Sequence, residues 1–345
     1  MTATSQRPMT ETESGVRSPG DRGRVVVTGV AGFIGSHLAE ALLGHGWDVV
    51  GIDAFTDYYA TADKWSNLAG LLERPGFELV TGDLASADIR ASLEGAAAVF
   101  HQAAQPGVRT SWGREFAGYL HHNVLATQRL LETCVEAAVP RLILASSSSV
   151  YGNAPSYPTT EDSATRPVSP YGVSKLAAEH LCLAYADPGV SSMRVAILRY
   201  FTVYGPRQRP DMGFRRFMEA ALAGRPIVIY GDGEQTRDFT YVDDVVRANL
   251  LAMAAPVHAD AINIGGGRRV PLNETLDLIG RTTGRRLHID RRPAPPGDVR
   301  HTGADGTRAK ALLGYRPQTD LATGLTAQAT WLATRHRSVE AQRIA

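Results

Sequence analysis

A chain of 345 residues, 43% of them hydrophobic and 21% charged, is long enough to bury a large core and carry a second lobe. Lys plus Arg total 36 against 35 for Asp plus Glu, which excludes an overall field drawing the protein to nucleic acid or an anionic membrane. Any anionic ligand must be met locally. The two cysteines, Cys134 and Cys182, lie in apolar helical patterns with no Cys or His at metal-ligand spacing, so we expect buried thiols in a reducing cytoplasm and no metal.

In chain order, residues 1–22 are rich in Thr, Ser, Arg, Gly and Pro and lack an apolar run, which predicts a disordered leader rather than a signal peptide. No later stretch approaches the roughly 20 apolar residues of a membrane helix, so no membrane contact is expected. Strands are predicted at Arg24–Thr28, Asp48–Asp53, Phe77–Thr81, Ala98–His101, Arg141–Ser146 and Arg194–Arg199, and helices at Phe33–Gly44, Phe116–Ala138 and Pro170–Tyr185. Short apolar runs alternating with helices predict an α/β fold, a doubly wound parallel sheet covered on both faces. Past Tyr200 the regularity breaks into Gly- and Pro-rich connections. We therefore expect a first domain over 23–200, a smaller lobe mainly over 201–335 with some segments returning to the first domain, and a flexible tail at 336–345.

Directly after the first strand, GVAGFIG supplies Gly29, Gly32 and Gly35 and opens a helix. A tight turn, close backbone approach to a pyrophosphate and close helix–strand packing each need a residue without a side chain, and the helix N-terminus meets the phosphate charge. Asp53 closes the second strand, where a carboxylate bonds an adenosine ribose diol and repels a 2′-phosphate, so the expected cofactor is NAD. Asp83, ending the third strand, either reaches the adenine or caps the segment that follows. After the fourth strand, His101 to Gln105 place small residues where backbone must pass close to the cofactor.

Further on, SPYGVSKLAAEHL sets Tyr171 and Lys175 at i and i+4, on one helical face, after a run of serines ending the fifth strand. A buried ammonium stabilises phenolate and makes the phenol a usable base near neutrality, while a serine hydroxyl bonds the same substrate oxygen.

In these motifs and their order the chain resembles the extended short-chain dehydrogenase/reductases, and within them the NAD-dependent nucleotide-sugar epimerases and dehydratases, from Gly23 to about Ala333. The resemblance implies a Rossmann-like domain holding NAD, a C-terminal lobe holding the nucleotide of a UDP-sugar, and a homodimer built from the two long helices. It puts the catalytic hydroxyl on Ser147, the base on Tyr171 and its partner on Lys175. It further assigns cofactor contacts to Phe33, Ile34, Leu84, Ala103, Ala104 and Tyr200.

Two positions separate the reactions within this family. Dehydratases carry an Asp-Glu pair where this chain has Ser148 and Ser149, and UDP-glucuronate decarboxylases tend to carry Glu at the latter position. Epimerisation remains. The segment RYFTVYGPRQRPDMGF resembles that of UDP-glucuronate 4-epimerases, including Thr202, Arg209 and Phe214, and a guanidinium can grip a sugar carboxylate through two hydrogen bonds. Coating of a loop or binding of diphosphate is the other reading of Arg207 and Arg209. By the same resemblance Arg237 contacts diphosphate, Phe239 walls that site, and Asp298 bonds the uridine ribose. Pro295 stands where many members carry Arg or Gln. Arg109 approaches the cofactor or sugar phosphate, or is an exposed loop residue. The alternatives to UDP-glucuronate 4-epimerase are UDP-glucose 4-epimerase, UDP-glucuronate decarboxylase and a non-catalytic NAD-binding sensor.

Overall fold

The computed structural model describes residues 23–293 and 298–344, with side chains as far as 335. The expected leader, Pro295 and the side chains of the expected tail lie outside the described residues; as backbone, a helix over Leu321–Ile344 runs through nearly all of that tail.

Strands β1 (Arg24–Thr28), β2 (Asp48–Asp53), β3 (Phe77–Thr81), β4 (Ala96–His101), β5 (Arg141–Ser147) and β6 (Arg194–Tyr200) join a late strand, Asp260–Ile264, in one seven-stranded sheet. Every neighbouring pair is parallel. The order is Asp260–Ile264, β6, β5, β4, β1, β2, β3. Val25, Val26 and Val27 are fully buried in succession, as expected where helices cover both faces and the alternation of a half-exposed strand is lost. Chain order reverses at β1, and the carboxyl ends of β1 and β4 open the crevice where such sheets bind ligands.

On one face α1 (Phe33–Gly44) packs through Leu38 and Leu42 against the helix Val242–Ala254, through Val245 and Val246. On the other, Leu130, Leu131 and Cys134 meet Ala178 and Cys182 of the helix Pro170–Tyr185. Fully burying each such leucine contributes about 1.5–3 kcal/mol, far above the few tenths by which ordinary helix propensities differ, so tertiary packing sets these helices. In the second half of the chain, Ile227–Tyr230 pairs with Ile289–Arg292, and Thr236–Asp238 with Arg269–Pro271. A separate small core forms around Ile227, Ile229, Ala221 and Leu276.

Three differences from the sequence reading bear on the site. β5 and β6 each run one residue further, so Ser147 and Tyr200 are strand ends rather than loop residues. The single helix expected over Phe116–Ala138 is a short α-turn at Phe116–Tyr119, a π-helical stretch at Leu120–Leu125 and an α-helix at Ala126–Glu136. In the wider turn the buried Asn123 accepts the Gln105 N–H on its Oδ1 (2.6 Å) and donates its Nδ2 to the Gln105 carbonyl (3.0 Å), pinning a residue that lines the first cavity. Finally, a helix α2 (Thr61–Leu72), unread in the sequence, connects β2 to β3.

Candidate active site

The chain leaves β1 through Gly29, whose φ of +69° is the left-handed conformation that favours glycine. A Cβ there would lie 2.7 Å from the Ala103 backbone, and one on Gly35 would lie 2.2 Å from the Gly29 carbonyl. Both glycines are therefore required by close packing. Gly32 is the N-cap of α1 and makes no side-chain cap, and it lines a cavity together with Phe33, Ile34 and Gly35 of the first turn. Uncapped helix-start amides facing a cavity fit a diphosphate. Asp53 closes that cavity on the β2 side, accepting the N–H of Ala31 at 3.0 Å and of Phe55 at 2.8 Å. Lys64 of α2 stands 3.8 Å from the same carboxylate, with its ammonium donating to the Thr56 carbonyl at 2.8 Å. On the β3 side, Asp83 holds His121 at 2.7 Å and takes the Ala85 N–H at 3.0 Å; these bonds outweigh burial and leave its carboxyl below the usual range. With His122, Asp83 and His121 form a group whose ligand-type atoms lie within 4.8 Å of one another.

The same cavity holds Tyr171, Lys175, Ser146, Tyr200 and Arg209. Ser169 caps the Tyr171 helix, accepting the Gly172 N–H at 3.1 Å, and Pro170 sits at its first position, so this end is rigidly set. Burial pushes the Tyr171 phenol upward; its hydrogen bond with Ser147 and the charge of Arg209 act in the opposite sense. Lys175 is buried, and burial brings its ammonium down to about 8 against the pull of Glu179. Of the serine run, Ser146 is spent on a short bond to Glu179, whose carboxylate also holds Arg199. That leaves Ser147 as the hydroxyl beside Tyr171, while its oxygen also accepts the Ser149 N–H at 3.1 Å. Below this group lies neutral His101, brought down to about 3 by burial first and Lys175 second. Thr127 donates its proton to the Asn123 carbonyl, so His101 Nε2 donates to Thr127 and Nδ1 accepts from Thr28.

A second cavity adjoins the first, sharing Tyr58, and is lined by Arg109, Thr202, Phe214, Arg237, Phe239 and Asp298. Arg109 bridges to Asp298 at 2.6 Å and lies 4.3 Å over the Tyr230 ring. Among the described residues Arg237 has no carboxylate in hydrogen-bond contact, and it donates to the carbonyls of Thr236, Val299 and Arg300. Burial, the largest influence on it, lowers its pKa, and the charge of Asp298 acts in the opposite sense.

All thirteen expected cofactor residues, Leu84 and Ala104 included, line the first cavity. Arg207 and Arg209 part company: Arg207 pairs with Glu40 of α1 at 2.7 Å, whereas Arg209 turns into the cavity beside Tyr171. Ser148 and Ser149 form a half-buried turn after β5 and line neither cavity. Sequence reasoning missed Tyr58, Lys64, Gln102 and Asp211. The aromatic pair Tyr58-Tyr59 soon after Asp53 was the available signal for the first two.

Comparison with known proteins agrees with this geometry. The sequence profile of the NAD dependent epimerase/dehydratase family matches residues 25–265. An uncharacterised UDP-glucose epimerase, YtcB, of Bacillus subtilis is 42% identical over 90% of this chain and 98% of its own length. A UDP-glucuronate 4-epimerase of Thermodesulfobacterium geofontis is 36% identical over 90% of this chain and 96% of its own. The crystal structure of UDP-glucuronic acid 4-epimerase from Bacillus cereus with UDP-glucuronic acid and NAD superposes with a TM-score of 0.87 at 40% identity, covering 90% of this chain and 99% of that one. A seven-stranded parallel sheet, a glycine turn closed by Asp53 and a Tyr171–Lys175 helix facing one cavity thus identify this chain as a member of the NAD dependent epimerase/dehydratase family.

Proposed function

We propose that this enzyme interconverts UDP-glucuronic acid and UDP-galacturonic acid by epimerising carbon 4. The observation that carries the reading is the placement of Arg209, a buried-side guanidinium, in the same cavity as Tyr171 and Lys175. A cation at the reacting centre has a use when the sugar is an acid.

In this reading Tyr171 takes the proton of the carbon 4 hydroxyl, with Ser147 bonded to the same oxygen and Lys175 favouring the phenolate by its charge. Bound NAD accepts the hydride from carbon 4 and returns it to the opposite face of the ring, so no external oxidant is consumed. The ketone formed on the sugar is a β-keto acid, which loses carbon dioxide when its carboxylate bond aligns with the carbonyl π system. Arg209, helped by the Thr202 hydroxyl from the adjoining cavity, holds the carboxylate out of that alignment, whereas Ser148 and Ser149, which line neither cavity, are given no part in it. Arg237 and Asp298 keep the nucleotide fixed while the sugar turns over, Asp298 exchanging Arg109 for the ribose.

Residues 23–200 then serve as the NAD domain and 201–335 mainly as the nucleotide lobe, with Val242–Ala254 and Asp260–Ile264 returned to the sheet. Leu120, Leu125, Val173 and Leu183 are exposed on the two long helical segments, which supports a homodimer through them. Both cysteines are free and buried, in keeping with a cytoplasmic location. The name of the Bacillus subtilis relative favours a second reading, epimerisation of UDP-glucose. Incubating the purified protein with each sugar and no added cofactor, with products identified by NMR, tests both. UDP-galacturonic acid is the expected product, and conversion of UDP-glucose alone overturns the proposal.

A further inference from the structure

Arg209 does not reach into the cavity unassisted. Its Nε donates to Asp211 Oδ1 and its Nη2 to Asp211 Oδ2, both at 3.0 Å, a side-on fork that fixes the plane of the guanidinium. Asp211 is held in turn: the Tyr58 hydroxyl donates to its Oδ2 at 3.3 Å. Tyr58 also lies 3.4 Å from the Thr110 hydroxyl, which bonds the buried Tyr119 phenol at 2.7 Å, and Tyr119 is tied to the carbonyls of Pro106 and Gly107. Tyr58 is the residue that lines both cavities, with Arg209 on the cofactor side and Asp211 on the nucleotide side.

We propose that Asp211 and Tyr58 are positioning residues for Arg209, holding its guanidinium side-on so that the remaining Nη1–Nη2 edge faces the sugar and takes the carboxylate end-on. The inference rests on the reading of the substrate as an acid sugar. Two effects compete when Asp211 loses its charge: a second carboxylate is no longer repelled, and Arg209 is no longer oriented. Asp211 keeps 35% of its side chain exposed, so water and salt screen the repulsion, whereas the fork is lost outright. Orientation wins, and the acid sugar binds less well without Asp211.

Calorimetric titration of the NAD-loaded wild type, Asp211→Asn and Tyr58→Phe with UDP-glucuronic acid and with UDP-glucose decides the matter, with bound NAD as the check of folding. Freeing one long side chain is expected to weaken UDP-glucuronic acid about tenfold in Asp211→Asn and about threefold in Tyr58→Phe, and UDP-glucose by under about twofold in either. In turnover, the share of acid sugar leaving as a decarboxylated UDP-pentose should rise in both variants. Wild-type affinity for the acid sugar in both variants, tighter binding of it, or equal loss for the two sugars would each overturn the proposal. Should Asp211→Asn fail to hold NAD, Tyr58→Phe decides alone. A wild type that binds but does not convert UDP-glucuronic acid sinks the proposed reaction and still leaves the affinity ratios to judge this one.

Discussion

The Asp53 carboxylate accepts the N–H of Ala31 at 3.0 Å, fastening the acid that ends β2 to the glycine turn that ends β1. Its other oxygen is bonded to Phe55 N–H, so the carboxylate is oriented before any ligand arrives. Purified protein is expected to release NAD when denatured. Asp53→Asn, which keeps the shape and removes the charge-assisted bonds, should weaken NAD retention by about tenfold or more without creating a preference for NADP. Chromatography of the released nucleotide reads both. An Asn variant that still carries a full complement of NAD would remove Asp53 from the cofactor's recognition.

Tyr171→Phe takes away one oxygen and should lower turnover at least about a thousandfold while bound NAD is retained, since proton transfer is the step it removes. Lys175→Met should also disable the enzyme, and it should in addition raise stability in a pH-dependent way. Folded Lys175 titrates near 8 and unfolded Lys near 10.5, so the folded chain binds fewer protons between those values. The buried ammonium therefore destabilises fully below about pH 8, less as pH rises, and not at all above about 10.5. In NAD-free protein Lys175→Met should melt higher than wild type at pH 7, with the gap closing towards pH 10. A gap that does not depend on pH would mean that the fold does not depress the Lys175 ammonium.

His101 imposes a penalty in acid. Its folded value of about 3 lies below the ordinary 6.5, so the unfolded chain binds the extra proton between those limits and stability falls as pH drops below about 6.5. His101→Gln keeps hydrogen-bonding atoms near Thr28 and Thr127 but cannot titrate. It should start less stable at pH 7 and lose less on going to pH 4.5 in urea unfolding. Identical losses for the two proteins would place the acid sensitivity elsewhere.

Much of this architecture was legible because local rules and tertiary structure agree. Buried parallel strands read as apolar runs, and β1, β2 and β3 end where the sequence says they do. The i, i+4 spacing of Tyr171 and Lys175 survives folding because a helix is defined by that spacing. What escaped is set by distant contacts. The π-turn at Leu120–Leu125 rests on Asn123 reaching Gln105, a pairing 18 residues apart that no periodicity announces. The strand Asp260–Ile264 pairs with β6 across some sixty residues of intervening chain, and its five residues look no different from a loop segment. Asp211 sits in one of the Gly- and Pro-rich connections past Tyr200, and only the fold brings Tyr58 to it from 153 positions away.

Two arginines offer the sharpest contrast within the site. Arg237 donates to three backbone carbonyls and lines the cavity of Arg109 and Asp298, and Arg209 faces the cavity of Tyr171. If the first grips diphosphate, every UDP-sugar depends on it; if the second grips a sugar carboxylate, acid sugars alone do. Arg237→Met should therefore weaken UDP-glucuronic acid, UDP-glucose and UDP itself alike, by about tenfold to a hundredfold, the range for losing a charged hydrogen bond. Arg209→Met should leave UDP binding close to wild type and lower kcat/KM on UDP-glucuronic acid about a hundredfold or more, because a buried charged contact is lost where charge must be held. Some of the remaining flux should emerge as UDP-pentose, since the keto acid is no longer kept from aligning its carboxylate with the ketone. Measuring UDP affinity, sugar preference and pentose yield on the two variants separates the roles. Loss of UDP binding in Arg209→Met, with preference between the sugars unchanged and no pentose, would reassign Arg209 to the diphosphate and leave the acid-sugar reading without its support.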